Sequence, residues 1–418
     1  MLKRRRRAIV MNEYLELLNK GANQSTIKSS NRGLVFDVLN TLGKCSRTQI
    51  SGITGLTKTS ITNIVAEMIE EKIIQEGQTA GAGVGRKQVL LEISSDSPRA
   101  IGVSVNRGAV FVSLMNLKGE VYFKKGIPLA ARESVKSFLN KVFKGCDAAI
   151  AANGDTQLLG IGVASIGPLD LRAGTILSPP NFKGLRNIAI VSALKSQYGL
   201  KVYLDNDMNA SATLEKLFGY GKGLSNFIYV GVTRGIGAGV VSDGKLYSGS
   251  NGFAGEIGHI CINYKGRRCQ CGNRGCLETY ASISAIEHEA KYKLAHGAES
   301  VLKYHREVAW EDVVAAARGG DALAAELIGM MADYLAIGCV TLCNMHDPQV
   351  IFFGHEIAEV GEIIIQPIKE KVNSMVFSKE FSEVDIKISY FGSEGFEMNG
   401  AAVLINRYVA GEMADDKN

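Results

Sequence analysis

The chain has 418 residues, of which 46% are hydrophobic and 21% charged, a composition typical of a globular protein with more than one domain. No apolar run approaches the roughly 20 residues of a membrane helix, and the start MLKRRRRAIV lacks a signal-peptide pattern. We therefore expect a cytoplasmic protein without membrane insertion. Eight cysteines scattered through such a chain argue against a disulfide framework.

Positive charge is concentrated in the first quarter of the chain. Residues 1–95 contain 14 Lys and Arg against 8 Asp and Glu, whereas the remaining residues contain 33 against 34. Localised positive charge is the electrostatic pattern of a nucleic-acid-binding segment. The run KRRRR itself is predicted to be part of a solvated basic arm over residues 1–30.

Residues 31–95 predict a winged helix-turn-helix domain. Apolar residues at helical spacing begin after Asn31 and end at Gly43, a second short helix follows Ser46, and a third begins after Thr57, an N-cap candidate. In this motif the third helix enters the major groove of DNA. Its outward positions are the predicted DNA contacts: Lys58, Thr59, Ser60, Thr62 and Asn63.

A β-hairpin is predicted after the third helix. The strand-like runs KIIQEGQ and QVLLEIS are separated by the glycine-rich segment TAGAGVGRK. Such a hairpin is the wing of the motif, and its tip carries Arg86 and Lys87. We expect these two cations to contact DNA phosphates or a narrow minor groove.

The predicted body, residues 96–418, contains an internal repeat. The segments IGVSVNRGAVFVS from Ile101 and IYVGVTRGIGAGVV from Ile228 match at an offset of 127 residues, with Arg107 matching Arg234. Two similar strand-turn-strand segments, each followed by helices, predict a duplicated α/β architecture. The cleft between its two lobes is the expected ligand site.

The segment CQCGNRGC predicts a metal site. Cys269, Cys271 and Cys276, together with His259, supply three thiolates and an imidazole, which fill a closed tetrahedral shell of the structural zinc type. Soft sulfur and nitrogen ligands favour Zn²⁺ over Mg²⁺ or Ca²⁺. A catalytic cysteine would not need three copies.

The motifs LDNDMNASA at 204–212, GEIGHI at 255–260 and CQCGNRGCLE at 269–278 resemble, in order and spacing, those of the ROK family of repressors and sugar kinases. The resemblance covers residues 31–405, and the N-terminal winged helix resembles that of the branch containing N-acetylglucosamine and xylose repressors. It implies an α/β fold of the actin-like, ribonuclease-H-like ATPase type and supports the zinc site.

Both nucleotide-binding loops depart from the pattern of the family's kinases. Ser104, Asn106 and Gly108 stand where those kinases have Asp-x-Gly-x-Thr, and Thr233 to Gly237, reading TRGIG, stand where they have Gly-Thr-Gly-x-Gly. The first change removes a carboxylate that assists Mg²⁺, and phosphoryl transfer depends on such positioning. We therefore expect no catalytic residues and no efficient enzyme activity.

The sugar-contacting positions implied by the resemblance retain polar residues: Asn181, Asn206, Asp207, Glu256, His259 and Glu278. Carboxylates accept protons from sugar hydroxyls, and amides both donate and accept. Asp207 matches the catalytic base of the kinases. Here we expect it to orient a ligand.

The sequence thus predicts a sugar-responsive transcriptional regulator, most simply a repressor. Its expected partners are operator DNA, a sugar or sugar-phosphate effector and a second copy of the chain, because a dimer matches a palindromic site. Two alternatives stay open at this point. One is an ATP-dependent sugar kinase with an appended DNA-binding domain, and the other is a body that binds a sugar-transport protein.

Overall fold

A computed structural model describes residues 24–80 and 88–413, and the chain divides into two compact units. Among the described residues, one unit combines those up to residue 97 with residues 406–413, and the other comprises residues 98–405. The prediction that the body runs to residue 418 is therefore wrong for the last residues. The physical reason is that Tyr408 contacts both Arg32 and Glu71 of the N-terminal unit.

The N-terminal unit has the element order expected of a winged helix-turn-helix. Its three strands form one antiparallel sheet in the order β1-β3-β2. The first helix begins earlier than predicted, at Gln24, and includes polar residues such as Lys28 and Ser30, whose side chains are exposed to solvent. The elements are α1 (Gln24–Leu42), β1 (Cys45–Ser46), α2 (Arg47–Thr54), α3 (Lys58–Glu70), β2 (Ile74–Ala80) and β3 (Gln88–Ile93).

Local capping explains where α2 and α3 begin. Ser46 and Gln49 form a reciprocal capping box at the start of α2. Gly55, with φ of 71°, ends α2 in the left-handed conformation. The side chain of Thr57 accepts a hydrogen bond from the Ser60 amide and starts α3. The core face of α3 consists of Ile61, Ile64, Val65 and Met68.

The second unit consists of two lobes, and the first is built on a five-stranded sheet in the order β10-β7-β4-β5-β6. Strands β8 (Leu169–Asp170) and β9 (Thr175–Ile176) form a small separate sheet. The other elements of this lobe are β4 (Arg99–Val105), β5 (Ala109–Asn116), β6 (Val121–Pro128), α4 (Val135–Asn153), β7 (Leu158–Ser165), α5 (Ile190–Tyr198) and β10 (Val202–Asn206).

The second lobe has a five-stranded sheet in the order β13-β12-β11-β14-β15. Short 3₁₀ helices also occur at Ile257–His259, Val301–Tyr304, His355–Glu359 and Gly395–Glu397. Its principal elements are α6 (Asp207–Phe218), β11 (Phe227–Val232), β12 (Ile236–Ser242), β13 (Lys245–Leu246), α7 (Glu278–Ala281), α8 (Ile283–Ala295), α9 (Trp310–Arg318), α10 (Ala322–His346), β14 (Val350–Gly354), α11 (Glu362–Met375), β15 (Asp385–Ile388) and α12 (Asn399–Val409).

The predicted duplication is confirmed by the two sheets. Strands β4 and β5 pair antiparallel, and so do β11 and β12. A parallel strand lies on the other side of each first strand, β7 beside β4 and β14 beside β11. The two repeated segments therefore occupy equivalent strands in the two sheets. The turns that carry Arg107 and Arg234 are equivalent as well.

Helix α10 is long and apolar enough to cross a membrane by length and composition, with a mean hydropathy of 1.6 in its most apolar window. It is the one such helix among the residues that the structure describes. Leu327, Met331 and Leu335 of this helix are buried in the core of the second lobe. Its apolar character is therefore explained by packing inside the protein.

The first turn of α12 lies against strand β4. A Cβ atom on Gly400 would be 2.6 Å from the amide nitrogen of Val103, so no larger residue fits at this position. The side chain of Asn399 accepts a hydrogen bond from Ser104 (2.7 Å) and donates one to the carbonyl oxygen of Asp207 (3.1 Å). Asn399 thus contacts both lobes at the base of the cleft.

Candidate functional site: a ligand cleft beside a metal cluster

A cavity of about 1180 Å³ lies between the two lobes. Its lining includes the turns after β4 and β11, the loop before α6 and the segment that leads into the cysteine cluster. The structure brings together here all six residues that the sequence analysis assigned to sugar binding: Asn181, Asn206, Asp207, Glu256, His259 and Glu278.

Asn206 and Asp207 stand where β10 ends and α6 begins. The Asn206 side-chain oxygen caps α6 by accepting a hydrogen bond from the Met208 amide (2.8 Å). This leaves the NH₂ group of Asn206 as its means of contacting a ligand. Burial raises the pKa of Asp207 to about 7, although the nearby Arg107 guanidinium opposes the shift. Near neutral pH this carboxyl group can therefore both donate and accept hydrogen bonds.

The turn that carries Glu256 is fixed by the residue before it. Gly255 has φ of +85°, and a side chain there would clash with the carbonyl oxygen of Ala238. Burial raises the pKa of the Glu256 carboxyl group, and the proximity of Glu278 also raises it, while His259 lowers it. The cleft therefore holds two acidic groups, Asp207 and Glu256, that ionise less readily than in water.

His259 and the three cysteines form a compact metal-ligand cluster. Their four ligand atoms lie within 4.8 Å of one another. The Sγ atoms of Cys271 and Cys276 are 3.6 Å apart, and His259 Nδ1 is 3.7 Å from Cys269 Sγ. Ligands 2.0–2.3 Å from a tetrahedral zinc ion are separated by about 3.5–3.8 Å. The donor types and their spacing therefore fit a structural zinc site.

Glu278 connects the metal cluster to the cleft. Its Oε1 atom is 3.0 Å from Cys269 Sγ and 3.6 Å from His259 Nδ1. Its Oε2 atom is 3.6 Å from the position of a Cβ atom built on Gly235, in the turn between β11 and β12. The Nδ1 atom of His259 faces the cysteines, so its Nε2 atom is left to contact a ligand in the cleft. A metal bound to the cluster would hold both side chains in position.

Both turns that correspond to nucleotide loops are closed by their own side chains. The side-chain oxygen of Asn106 accepts hydrogen bonds from the amides of Gly108 (2.8 Å) and Ala109 (2.7 Å). In the equivalent turn, the hydroxyl group of Thr233 accepts a hydrogen bond from the Gly235 amide (3.2 Å). These amides, the donors with which such a turn would hold a phosphate, already have partners.

The predicted DNA-contacting residues occupy the outer face of α3. Lys58, Thr59, Thr62 and Asn63 are exposed, and Ser60 is half-buried. The hydroxyl group of Thr62 donates a hydrogen bond to the Lys58 carbonyl oxygen (2.8 Å). The predicted wing-tip residues, Arg86 and Lys87, lie outside the described residues.

Comparison with known proteins identifies the family of the body. The model of the ROK family matches residues 100–408. The chain belongs to the ROK family. Its recognition from the cysteine, GEIGHI and LDNDMNASA motifs is therefore confirmed, as is the fold class inferred from it.

Several ROK proteins are similar to this chain over nearly their whole length. The xylose repressor of Caldicellulosiruptor bescii is 30% identical over 394 residues, which cover 92% of this chain and 97% of the repressor. The DNA-binding transcriptional repressor Mlc of Escherichia coli is 27% identical, with 92% and 95% coverage. A crystal structure of a ROK transcriptional regulator homologous to Mlc superposes with a TM-score of 0.79 at 28% identity, covering 92% and 98%.

ROK kinases are similar in fold over a smaller share of the chain. A ROK glucokinase from Streptomyces griseus, solved with glucose and AMPPNP, has a TM-score of 0.65 at 24% identity and covers 72% of this chain. The regulator homologous to Mlc covers a larger share of this chain, 92%.

Sequence reasoning missed two residues that line the ROK cleft. The sequence analysis named Arg107 only as the counterpart of Arg234 in the internal repeat, but its side chain lines the cavity and donates a hydrogen bond from Nε to the Pro180 carbonyl oxygen (3.0 Å). Phe253, which is 51% exposed, also lines the cavity. The match of Arg107 with Arg234 in the internal repeat was the available signal for the first of these residues.

Proposed function

We propose that this ROK protein is a transcriptional repressor whose affinity for operator DNA is changed by a sugar ligand. The observation that carries the proposal is the combination of an exposed polar face on α3 with a cleft that keeps its polyol-binding groups while both phosphate turns are closed. The relatives named as a xylose repressor and as Mlc support it, because the similarity extends through the N-terminal unit.

The DNA-binding part of the proposal rests on α3 and the wing. Lys58 contributes a cation, and Thr59 and Asn63 contribute hydrogen-bonding groups at exposed positions of the first two turns. Short polar side chains at the start of a recognition helix contact phosphates and base edges. Arg86 and Lys87 would add phosphate contacts from the wing. A homodimer would present two such units to a palindromic operator, and such a protein would act in the cytoplasm.

We assign a structural zinc ion to His259, Cys269, Cys271 and Cys276. All four ligands are contributed by the protein, so no position is left for a substrate. When bound, the ion would hold the GEIGHI turn and the CQCGNRGC loop together. The sugar-facing residues Glu256, His259 and Glu278 belong to these segments or adjoin them, which makes the metal a support for the ligand cleft.

The alternative of a sugar kinase is supported by a single observation. Because its pKa is raised to about 7, Asp207 is suited to general-base catalysis near neutral pH. The closed phosphate turns and the serine at position 104 argue against it. Sugar-dependent ATP hydrolysis that is lost in Asp207→Asn would establish the kinase activity.

The function is tested with the full chain and random duplex DNA. In vitro selection should enrich a two-fold symmetric site, and a panel of sugars should then be screened for one that shifts binding in fluorescence anisotropy. A Lys58→Ala/Asn63→Ala double variant should lose selective binding. Lys369→Ala, in the body, is the matched control because Lys369 is paired with Asp385 (3.3 Å), far from α3 in sequence. Failure to enrich any sequence would contradict the proposal.

A further inference from the structure

Cys261 and Cys276 lie directly opposite each other at the base of the cysteine loop. Their backbones form an isolated antiparallel bridge. The bridge is flanked by two hydrogen bonds, each from an amide to a carbonyl oxygen: Ile262 to Gly275 (2.8 Å) and Leu277 to Ile260 (3.0 Å). Because these bonds are made by the neighbours and not by the cysteines, Cys261 and Cys276 form a non-hydrogen-bonded pair, the kind in which opposite residues are closest.

The spacing of such a pair matches that of a disulfide. Its Cα atoms are about 4.5 Å apart and its side chains stand on the same face, whereas a disulfide requires about 4.4–6.8 Å between Cα atoms. The register at this point is fixed, because a side chain on Gly275 would clash with the carbonyl oxygen of Asn263. The backbone therefore places Cys261 and Cys276 where a sulfur–sulfur bond can form without a change of register.

The two thiols differ in exposure and in their relation to the metal cluster. Cys261 is exposed, and its thiol lies outside the cluster of His259 and three cysteines. Cys276 is fully buried, and its Sγ atom is 3.6 Å from that of Cys271. The other cysteines outside the cluster are all buried: Cys45, Cys146, Cys339 and Cys343. Since oxidation of thiols follows exposure, Cys261 is the free thiol that a dissolved oxidant reaches first.

We propose that Cys261 and Cys276 form a reversible disulfide when the protein meets a hydroperoxide, and that this bond releases the zinc ion assigned to the cluster. The proposal rests on that metal assignment and does not depend on which effector occupies the cleft. Disulfides in a reducing compartment are generally transient and redox-sensing, and exposed ones are the labile kind.

The reaction with hydrogen peroxide has two steps. In the first, the Cys261 sulfur attacks the peroxide, the O–O bond breaks, and a sulfenic acid and one water molecule form. In the second, the Cys276 thiolate leaves the metal and attacks the sulfenic sulfur, so that the S–S bond forms and the S–O bond breaks. The departing hydroxide takes a proton from solvent. The two sulfur atoms thus lose two electrons, and the peroxide is reduced to two water molecules.

Loss of Cys276 from the cluster would affect the wall of the ligand cleft. Only three protein ligands would remain for zinc, too few for a closed structural site. His259 is both a metal-ligand candidate and a cleft residue, and Glu278, two residues after Cys276, lies 3.0 Å from Cys269 Sγ. The oxidised protein would therefore lose the metal that holds these two side chains in position.

The test uses the full chain purified with zinc and treated with hydrogen peroxide. A chromogenic chelator follows zinc release, and mass spectrometry of a non-reduced tryptic digest identifies the disulfide. Trypsin cleaves after Lys265, Arg268 and Arg274, so Cys261, the two cysteines of CQCGNR and Cys276 fall in three different peptides. We expect a cross-link between the first and third peptides and one zinc ion released for each disulfide formed. Dithiothreitol with added zinc should reverse both changes.

Variants then assign the reaction to Cys261. Cys261→Ser should retain zinc before oxidation, because the thiol lies outside the cluster. With peroxide it should release the metal about tenfold or more slowly, since no exposed free thiol remains beside Cys276. Cys146→Ala is the matched control: it removes a thiol buried in the core of the first lobe and should release zinc at the rate of the unmodified protein. Circular dichroism and the zinc content before oxidation check that each variant is folded.

Three results would overturn this proposal and leave the zinc assignment intact. They are a disulfide that joins only cysteines of the cluster, equal rates of zinc release from Cys261→Ser and the unmodified protein, and a loss of zinc that dithiothreitol does not reverse, as expected of sulfinic acids. If the untreated protein contains no zinc, the metal assignment fails together with the proposal. None of these outcomes alters the proposed DNA binding.

Discussion

The Tyr408 hydroxyl group donates a hydrogen bond to Glu71 Oε2 (3.0 Å), although the two residues are 337 positions apart in the chain. Glu71 is the C-cap residue of α3, and Arg32 of α1 binds the same carboxylate through both of its terminal nitrogens. The hydrogen bond from Arg32 is the main reason that the pKa of Glu71 is lowered. These three side chains therefore tie the end of α3 to the first and last helices of the N-terminal unit.

Replacing Tyr408 with phenylalanine should destabilise the N-terminal unit by about 1 kcal/mol, the typical net value of one hydrogen bond. Faster hydrogen exchange at the amides of α3, in the full chain, is the measurement. Tyr304→Phe serves as the control because Tyr304 is 80% exposed in the body. Equal exchange in α3 of both variants and the unmodified protein would show that the Tyr408 hydroxyl contributes no stability.

Removing single cations from the N-terminal unit should weaken DNA binding and reduce its salt dependence. For Lys58→Ala or Arg86→Ala, the slope of log K against log salt should fall by about one if each residue contacts one phosphate. Asn63→Ala should instead reduce discrimination between DNA sequences with little change in slope. Titrations at several salt concentrations provide both quantities. An unchanged slope in the cation variants would remove those residues from the interface.

The metal cluster predicts one zinc ion per chain by elemental analysis. Cys276→Ser should lose most of the metal and lower the melting temperature by about 5 °C or more, the change expected for a loss of about 2 kcal/mol in a unit of this size. Cys261→Ser is a matched control because Cys261 is exposed, and its backbone pairs with that of Cys276 while its thiol lies outside the cluster. Equal zinc content in the two variants would contradict the assignment.

Asp207 should make the stability of the unliganded protein depend on pH. Its pKa is raised from 3.8 to about 7 in the folded state, so the folded protein retains a proton that the unfolded chain has lost. Stability should therefore decrease as the pH rises from about 4 to about 7 and change little from this group above that range. The stability of Asp207→Asn, measured by thermal unfolding, should lack this dependence on pH. Relative to the unmodified protein, the variant should therefore be stabilised more at pH 8 than at pH 5.

The pH dependence of thermal unfolding of the unmodified protein provides the check on that prediction. If Asp207→Asn and the unmodified protein change in parallel between pH 5 and pH 8, other groups are responsible for the dependence. Glu71 offers an internal comparison, since its lowered pKa stabilises the protein at neutral pH and its contribution is lost only under more acidic conditions, as the pH falls below 4.5.

Local patterns were sufficient to predict much of this fold. Thr57 was identified as an N-cap from its position before an amphipathic segment, and it caps α3. The 127-residue repeat located the equivalent strands β4 and β11, because both strands are buried on both faces and therefore consist of similar apolar and small residues. The spacing of the cysteines, with His259, identified a cluster whose ligand atoms do converge.

Contacts between distant segments could not be predicted in this way. No periodicity relates Tyr408 to Glu71, so residues 406–413 were assigned to the wrong unit. The contact of Arg107 with the Pro180 carbonyl oxygen involves a backbone atom, whose position depends on the fold rather than on residue type. The contact of Glu278 with Cys269 likewise exists only once the loop and α7 have packed together.

The membership of residues 406–413 in the N-terminal unit has a consequence for how the protein is made. During synthesis Arg32 and Glu71 leave the ribosome before the body does, but they lack Tyr408 until residues 98–405 have been translated. Domains usually fold in order of synthesis, whereas this unit can complete its packing only after translation of the body is finished. A truncated transcript would therefore yield a DNA-binding unit that lacks one of its stabilising contacts.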